Sequence, residues 1–363
     1  MKWSTLVILL VLGLWLFIAY WTSTNDCERS SATPSNPMKA IRYCEYGSPD
    51  VVKLDYVEKP VPADNQILIK VRAASLNALD VYLIRDTWLG RLIFGLRKPK
   101  DTRLGRDVAG QVEAVGKNVT QFKPGDEVFG TCRGALAEYA CASERALVMK
   151  PPSVPFEQAA SVPLAGLTAL QGLREGKIQP GQKVLINGAT GGVGTFAVQI
   201  AKSFGAEVTA VCSTRNVDLV RSIGADHVID YTKEDFTKSE QRYDVIFDNV
   251  CNHSFFERRR VLTPKGICIL AGMGGAGVKE GQAIGRIAGN LFTARALSSF
   301  TDQKFAQYMT KMSKPDLIIL GDLIQEGRLR PVIEQTYKLN DAPEAFHHLD
   351  GGHARGKVVI TAN

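Results

Sequence analysis

Histidine is scarce in this chain: there are five, and none precedes His227. The long stretch before it therefore has no imidazole to offer a metal. Seven cysteines occur, Cys27, Cys44, Cys132, Cys141, Cys212, Cys251 and Cys268, but no two stand at C-x-x-C spacing. Without a tight cluster of four ligands a structural zinc is excluded, and an odd total argues against a closed disulfide framework. Free thiols in a reducing compartment are the expectation. A basic stripe is missing too. The 44 basic and 37 acidic residues leave +7, yet the basic ones are scattered, so no nucleic-acid partner is expected. No internal repeat is present.

What is there describes a folded protein. Apolar residues make up 45% and charged residues 22% of 363, enough for two domains with buried cores. The first uncharged run, Leu6 to Trp21, reads LVILLVLGLWLFIAYW. Extended back to Trp3, it has the length to span a hydrocarbon core of about 30 Å, with Trp3, Tyr20 and Trp21 at its ends. A cleaved signal peptide would be shorter and carry small residues at its cleavage site. Residues 3–21 are therefore read as a single transmembrane anchor in a lipid bilayer, and residues 22–37, rich in Ser, Thr and Pro, as a polar linker. Lys2 alone would send the following domain outward. Unpaired thiols point the other way, so the domain is expected to face the cytoplasm.

From Met38 the pattern divides. Residues 38–160 carry short β-like runs at Lys39–Tyr43, Ile67–Ala73, Asp107–Val115, Glu127–Thr131 and Ala137–Cys141, punctuated by turns such as Lys123-Pro124-Gly125-Asp126. Residues 161–327 alternate strand and helix, with apolar strands at Val184–Asn187, Glu207–Cys212, His227–Ile229, Val245–Asn249, Gly266–Ala271 and Ala296–Phe300. That alternation predicts a doubly wound parallel sheet covered on both faces. Residues 328–363 offer two more strands around a helix at Ala342–Leu349, and are expected to complete the first domain.

One motif carries a ligand. The strand Val184–Asn187 runs into Gly188-Ala189-Thr190-Gly191-Gly192-Val193-Gly194 and then a helix. The pattern G-x-G-x-x-G appears as Ala189, Gly191 and Gly194. Gly191 lets backbone amides approach a pyrophosphate, Gly194 lets helix and strand pack closely, and the helix N-terminus supplies free N–H donors. The second strand ends Cys212-Ser213-Thr214-Arg215. An acidic residue there would accept from the ribose hydroxyls of NAD. Hydroxyls and a guanidinium instead suit a 2′-phosphate, so NADP(H) is the expected cofactor. Asn249 and Gly272-Met273 follow strand ends that should face it.

These segments resemble the medium-chain dehydrogenase/reductase superfamily, and within it the quinone oxidoreductase group, with a particular likeness to its reticulon-interacting mitochondrial members. The carriers are Met38-Lys39-Ala40-Ile41, Tyr46-Gly47-Ser48-Pro49-Asp50-Val51, Ala74-Ser75-Leu76-Asn77-Ala78-Leu79-Asp80, Gly105-Arg106-Asp107-Val108-Ala109-Gly110, Pro124-Gly125-Asp126-Glu127-Val128, the glycine turn, and Ala354-Arg355-Gly356-Lys357. The resemblance implies a GroES-like, mainly-β catalytic domain, a Rossmann domain, a cleft between them and a homodimer. It also shows a departure. Where zinc-dependent relatives carry ligands, this chain reads Leu76–Asp80, Gly105–Asp107 and Val162-Pro163-Leu164. No metal site is expected.

Without a Lewis acid, simple alcohol oxidation is disfavoured, whereas a quinone or enone is already electrophilic and needs only donors for its developing oxyanion. By resemblance Asn77 would donate to the substrate carbonyl or the nicotinamide ribose, and Thr168 would contact the nicotinamide; Tyr82 is a second candidate donor. Cys251 reads as a packed thiol. A short-chain reductase is excluded by the lack of any Tyr-x-x-x-Lys pair. The alternative is an NADPH-sensing scaffold at the membrane with little catalysis, since fold alone does not fix function.

Overall fold

The computed structural model describes residues 33–271, 302–352 and 354–362, together with Gly13 and Cys27. A hairpin of β1 (Pro37–Tyr43) and β2 (Val52–Glu58) opens it, with Ile41 opposite Leu54. Then come β3 (Gln66–Leu76), α1 (Ala78–Ile84), α2 (Trp88–Phe94), β4 (Asp107–Val115), β5 (Glu127–Thr131), β6 (Tyr139–Ser143) and β7 (Leu147–Met149). These strands pair antiparallel, and Gly and Pro lie in the turns between them, as in a mainly-β domain.

Two helices, α3 (Phe156–Ser161) and α4 (Pro163–Glu175), lead into the second domain: β8 (Lys183–Asn187), α5 (Gly192–Ser203), β9 (Glu207–Cys212), α6 (Val217–Ser222), β10 (His227–Asp230), β11 (Tyr243–Asp248), α7 (Phe255–Arg260), β12 (Leu262–Leu270), β13 (Lys304–Gln307) and α8 (Lys314–Gln325). Its six strands are all parallel, in the order β10-β9-β8-β11-β12-β13. The order reverses between β8 and β11, so the crevice at their carboxyl ends is the topological switch point where ligands bind. The chain then returns. Strands β14 (Ile333–Lys338) and β15 (Lys357–Thr361), with α9 (Ala342–Asp350) between them, join the first sheet in the order β14-β15-β3-β4-β5-β7. The two architectures are a GroES-like and a Rossmann-type domain. One apolar core crosses their seam, since Ala73, Ala109, Phe129 and Val148 of the first pack with Val162, Leu170, Phe247 and Leu320.

Three expectations are corrected or left aside. Among the described residues no helix is long and apolar enough to cross a membrane. The single-pass anchor, and the cytoplasm-facing membrane location built on it, are therefore withdrawn; apart from Gly13, residues 3–21 lie outside the described residues. The seven cysteines are not all free thiols: Cys27 and Cys44 form a disulfide with their Cα atoms 6.0 Å apart. Spacing along the sequence did not reveal this, because spacing carries no distance in space. Cys132, Cys141, Cys212, Cys251 and Cys268 form no disulfide. The strand expected at Ala296–Phe300 lies outside the described residues.

Candidate active site

Four elements meet at Asp107, the first residue of β4. Its carboxylate is fully buried. Oδ1 accepts from the Leu164 amide at 3.0 Å, at the start of α4, where the helix dipole favours an anion. Oδ2 accepts from Ser75 Oγ at 3.0 Å, Asn77 Nδ2 at 2.9 Å and Lys357 Nζ at 3.2 Å. Lys357 Nζ also donates to Asn77 Oδ1 at 2.7 Å. Both ends of the Asn77 carboxamide are thus held.

Asn77 stands just before α1, where its backbone N–H donates to Asp80 Oδ2 at 2.8 Å. The other oxygen of Asp80 accepts from the Gly105 amide at 3.1 Å. Asp80 is fully buried, and that burial pushes its carboxyl up to about 6, with the nearby Asp107 charge adding to the rise. Tyr82, further along α1, is half-buried, and burial pushes its phenol up, so it keeps its proton at neutral pH. The Arg85 guanidinium lies 5.6 Å from its ring centroid.

The glycine turn faces this cluster from the Rossmann side. Ala189 N donates to Val211 O at 3.1 Å, and Gly188 adopts φ 82°, a left-handed conformation that glycine allows at no steric cost. A side chain at Gly194 would overlap the backbone of Gly188 and Ala189, which is the close helix–strand approach the motif demands. At Gly191 a Cβ would meet only Gly188 O, at 3.9 Å. That face of the turn is bare backbone at the head of a 12-residue helix. Amides 192 to 194 there have no intrahelical acceptor. This cradle suits a dinucleotide pyrophosphate. Thr190 lies in the turn, and its carbonyl accepts from Gly356 N at 2.8 Å. Gly192 and Val193 begin α5.

At the end of β9, Cys212 is buried and its thiol is pushed up to about 11 by that burial. Ser213 is half-buried and Arg215 is exposed. The Thr214 hydroxyl is committed to Asp230, donating to Oδ2 at 2.6 Å. Asn249 follows β11, its N–H donating to Asn187 O at 3.1 Å, beside Gly188. Thr168 lies on α4; its hydroxyl donates to Leu164 O at 2.7 Å and lies 2.8 Å from Thr310 Oγ1, and its carbonyl accepts from Tyr308. Gly272 and Met273 lie outside the described residues. Cys251 is buried, with Sγ against Asp248 O at 3.4 Å.

Sequence reasoning missed several of these groups. Asn216 is buried between the turn and the end of β9, with Nδ2 donating to Thr190 Oγ1 at 3.3 Å and Ser213 Oγ at 3.2 Å. Asp248 accepts from Asn187 Nδ2, the Val250 and Cys251 amides and Arg258 Nε. Lys357 and Asp107 were noticed only as parts of family segments. The available signal was a charge opening an otherwise apolar strand, as in Asp107-Val108-Ala109 and Lys357-Val358-Val359. Among the described residues no group of three or more His, Cys, Asp or Glu could hold a metal.

Residues 223–360 match the zinc-binding dehydrogenase family and residues 63–152 the alcohol dehydrogenase GroES-like domain. A mouse protein named NAD(P)H oxidoreductase RTN4IP1, mitochondrial, is 34% identical over 366 residues, covering 91% of this chain and 91% of its own. Its mitochondrial designation also departs from the location expected of this chain. A tomato (Solanum lycopersicum) 2-methylene-furan-3-one reductase is 34% identical, covering 92% of this chain and 81% of its own. The quinone oxidoreductase structure from Coxiella burnetii superposes with a TM-score of 0.76 at 31% identity, over 90% of this chain and all (100%) of that one. The chain belongs to the medium-chain dehydrogenase/reductase superfamily, in its quinone oxidoreductase group, and is an oxidoreductase with a dinucleotide-binding Rossmann-type domain.

Proposed function

We propose that this protein is an NADPH-dependent, zinc-independent reductase that transfers hydride to a quinone or an α,β-unsaturated carbonyl. The observation that carries the reading is the Asn77 carboxamide, held by Asp107 and by Lys357, the residue next to the Gly356 contact with the glycine turn. Reduced nicotinamide supplies the hydride. The chain's own task is to bind, orient and stabilise charge. The bare turn at Gly191 and the head of α5 receive the pyrophosphate, and Ser213 and Arg215 flank the place for a 2′-phosphate. An Asn77 N–H donates to the carbonyl oxygen, where negative charge grows as hydride arrives at the conjugated carbon. The protonated Tyr82 phenol is the second donor.

Zinc independence is supported by the donor set. Asp107, which opens β4 near where zinc relatives place a ligand, has both oxygens occupied by protein donors. The curated names of similar proteins, an alkenal/one oxidoreductase and a furanone reductase among them, fit an activated alkene as acceptor.

The test is to mix the full chain with NADPH or NADH and a panel of quinones and enones, following the reduced-nicotinamide absorbance. Turnover is expected to prefer NADPH. Arg215→Ala should cost about tenfold of that preference, as loss of a charge-assisted contact does, and Asn77→Ala should lower kcat. Tight NADPH binding without turnover would favour the scaffold reading, and no binding would sink both.

A further inference from the structure

The last strand touches both halves of the site within two residues. Gly356 donates its N–H to Thr190 O and pairs with Gly191 as an isolated bridge. It does so at φ 100°, where a side chain would overlap the Val332 backbone, so only glycine fits. The next residue, Lys357, turns its side chain away from solvent, 3% exposed, and ends between Asn77 and Asp107. Its stem passes Gly192: a Cβ there would stand 2.9 Å from Lys357 Cδ. Glycine at 192 thus makes room for the lysine as well as for a ligand.

The chemistry of the two partners fixes how the amide lies. An ammonium only donates and a carboxylate only accepts. Asn77 Oδ1 must face Lys357 and Nδ2 must face Asp107. One Nδ2 hydrogen is used on Asp107, and the second has no acceptor among the described residues. With both ends held, that N–H has one direction; with Lys357 gone, the carboxamide is held at one end and can turn about that bond.

We propose that Lys357 is a positioning residue, which fixes the Asn77 N–H on the acceptor carbonyl and, through its stem on Gly192, ties that orientation to the dinucleotide turn. The inference rests on the reductase reading, in which Asn77 is the donor. Lys357 itself touches no substrate. Its role is to keep a neutral donor aimed, and small errors of aim are costly in a reaction that depends on alignment.

The experiment uses the full chain with Lys357→Met, Asn77→Ala and the two combined. Lys357→Met should lower kcat by about tenfold or more through misplacement of the donor, with the Kd for NADPH changed by less than about twofold because the turn is intact. The double variant should be no slower than Asn77→Ala alone, since residues acting as one unit are not additive. An unchanged kcat, or losses that multiply, overturns the inference. Should Lys357→Met fail to fold, Asp107→Asn with Lys357→Met removes both charges, and the comparison is made against Asp107→Asn. A second readout needs no acceptor. In chain labelled with ¹⁵N-asparagine, with the Asn77 side-chain signal assigned by its loss in Asn77→Ala, Lys357→Met should shift both amide-proton resonances in the NADPH complex. Unmoved resonances overturn the positioning role. Moved resonances in a chain inactive on every acceptor overturn only the reductase reading.

Discussion

Each of the two domains buries an aspartate completely, and the protein surrounds the two differently. Asp107, on the GroES-like side, is met by one backbone amide, one hydroxyl, one carboxamide and one ammonium. Asp248, at the end of β11, is met by two backbone amides, the Asn187 carboxamide and Arg258 Nε at 2.6 Å. Both ion pairs are almost wholly removed from water. They differ in what is left over. Lys357 bonds two acceptors, whereas Arg258 Nη1 and Nη2 find no hydrogen-bond partner among the described residues.

A buried pair is favourable only where its remaining donors and acceptors are satisfied. The Asp107 pair leaves no side-chain nitrogen or oxygen without a partner, and three of the four bonds to its carboxylate come from side chains, so it can hold a donor such as Asn77 in one orientation. The Asp248 carboxylate gives two of its four bonds to the Val250 and Cys251 amides, so it holds the shape of the loop 249–251, in which Cys251 takes φ 58°. The first arrangement aims a group. The second shapes a wall. That Arg258 is tolerated with two unpartnered nitrogens fits a structural duty, since each such group costs about 1–3 kcal/mol.

Substitutions can break or sharpen this contrast. Removing the hub on either side should be most damaging: Asp107→Ala and Asp248→Ala each leave a buried cation unpaired and should cost about 3–5 kcal/mol in denaturant unfolding. Equal stability of either variant to the wild type would end the comparison. Next is Asp80, whose folded-state carboxyl is raised from 3.8 to about 6. Between those values the folded chain binds more protons than the unfolded one, so this residue favours folding at low pH and the benefit is lost as pH rises through about 6. Wild type relative to Asp80→Asn should therefore gain stability from pH 7 to pH 4, by at most about 3 kcal/mol. A gap that does not change with pH would place the titration elsewhere.

Arg258→Met should cost less than Asp248→Ala, about 1–3 kcal/mol, because three donors still serve Asp248 and two unsatisfied nitrogens disappear. It should leave kcat alone, where Lys357→Met lowers it; kinetics and unfolding of both variants check the pair. The smallest effect belongs to a pair outside the core. Arg85 and Asp350 meet at 2.6 Å with each side chain about a third exposed, and Arg85→Ala should change stability by no more than about 1 kcal/mol. A larger loss would mean that exposure is a poor guide here.

Much of this could be read from the chain. Continuous apolar strands around Ile186, Val208 and Phe247 announced a parallel sheet, because such strands must be covered on both faces. Gly191 and Gly194 announced the turn: a Cβ at Gly194 would overlap the Gly188 and Ala189 backbone, and Gly191 leaves the outer face of the turn bare. Asn77 came from family segments, not from its own surroundings. The partners of Asn77 were illegible for a physical reason: Lys357 lies 280 positions away and Asp107 lies 30 away, and no local periodicity records a contact of that range. The Cys27–Cys44 bridge failed to show for the same reason, since spacing carries no distance in space. The transmembrane reading shows the opposite risk, as an apolar run speaks for burial without saying in what.

By itself, then, the sequence determined the two architectures and the glycine turn between strand and helix, which depend on local propensity and on which faces are apolar; the strand order that makes the switch point belongs to the tertiary structure. Tertiary structure decided what each buried charge is for. Whether an aspartate holds a side-chain amide or props up a loop depends on which donors arrive from distant strands, and that is settled only when β4, β11, α4 and β15 are packed together.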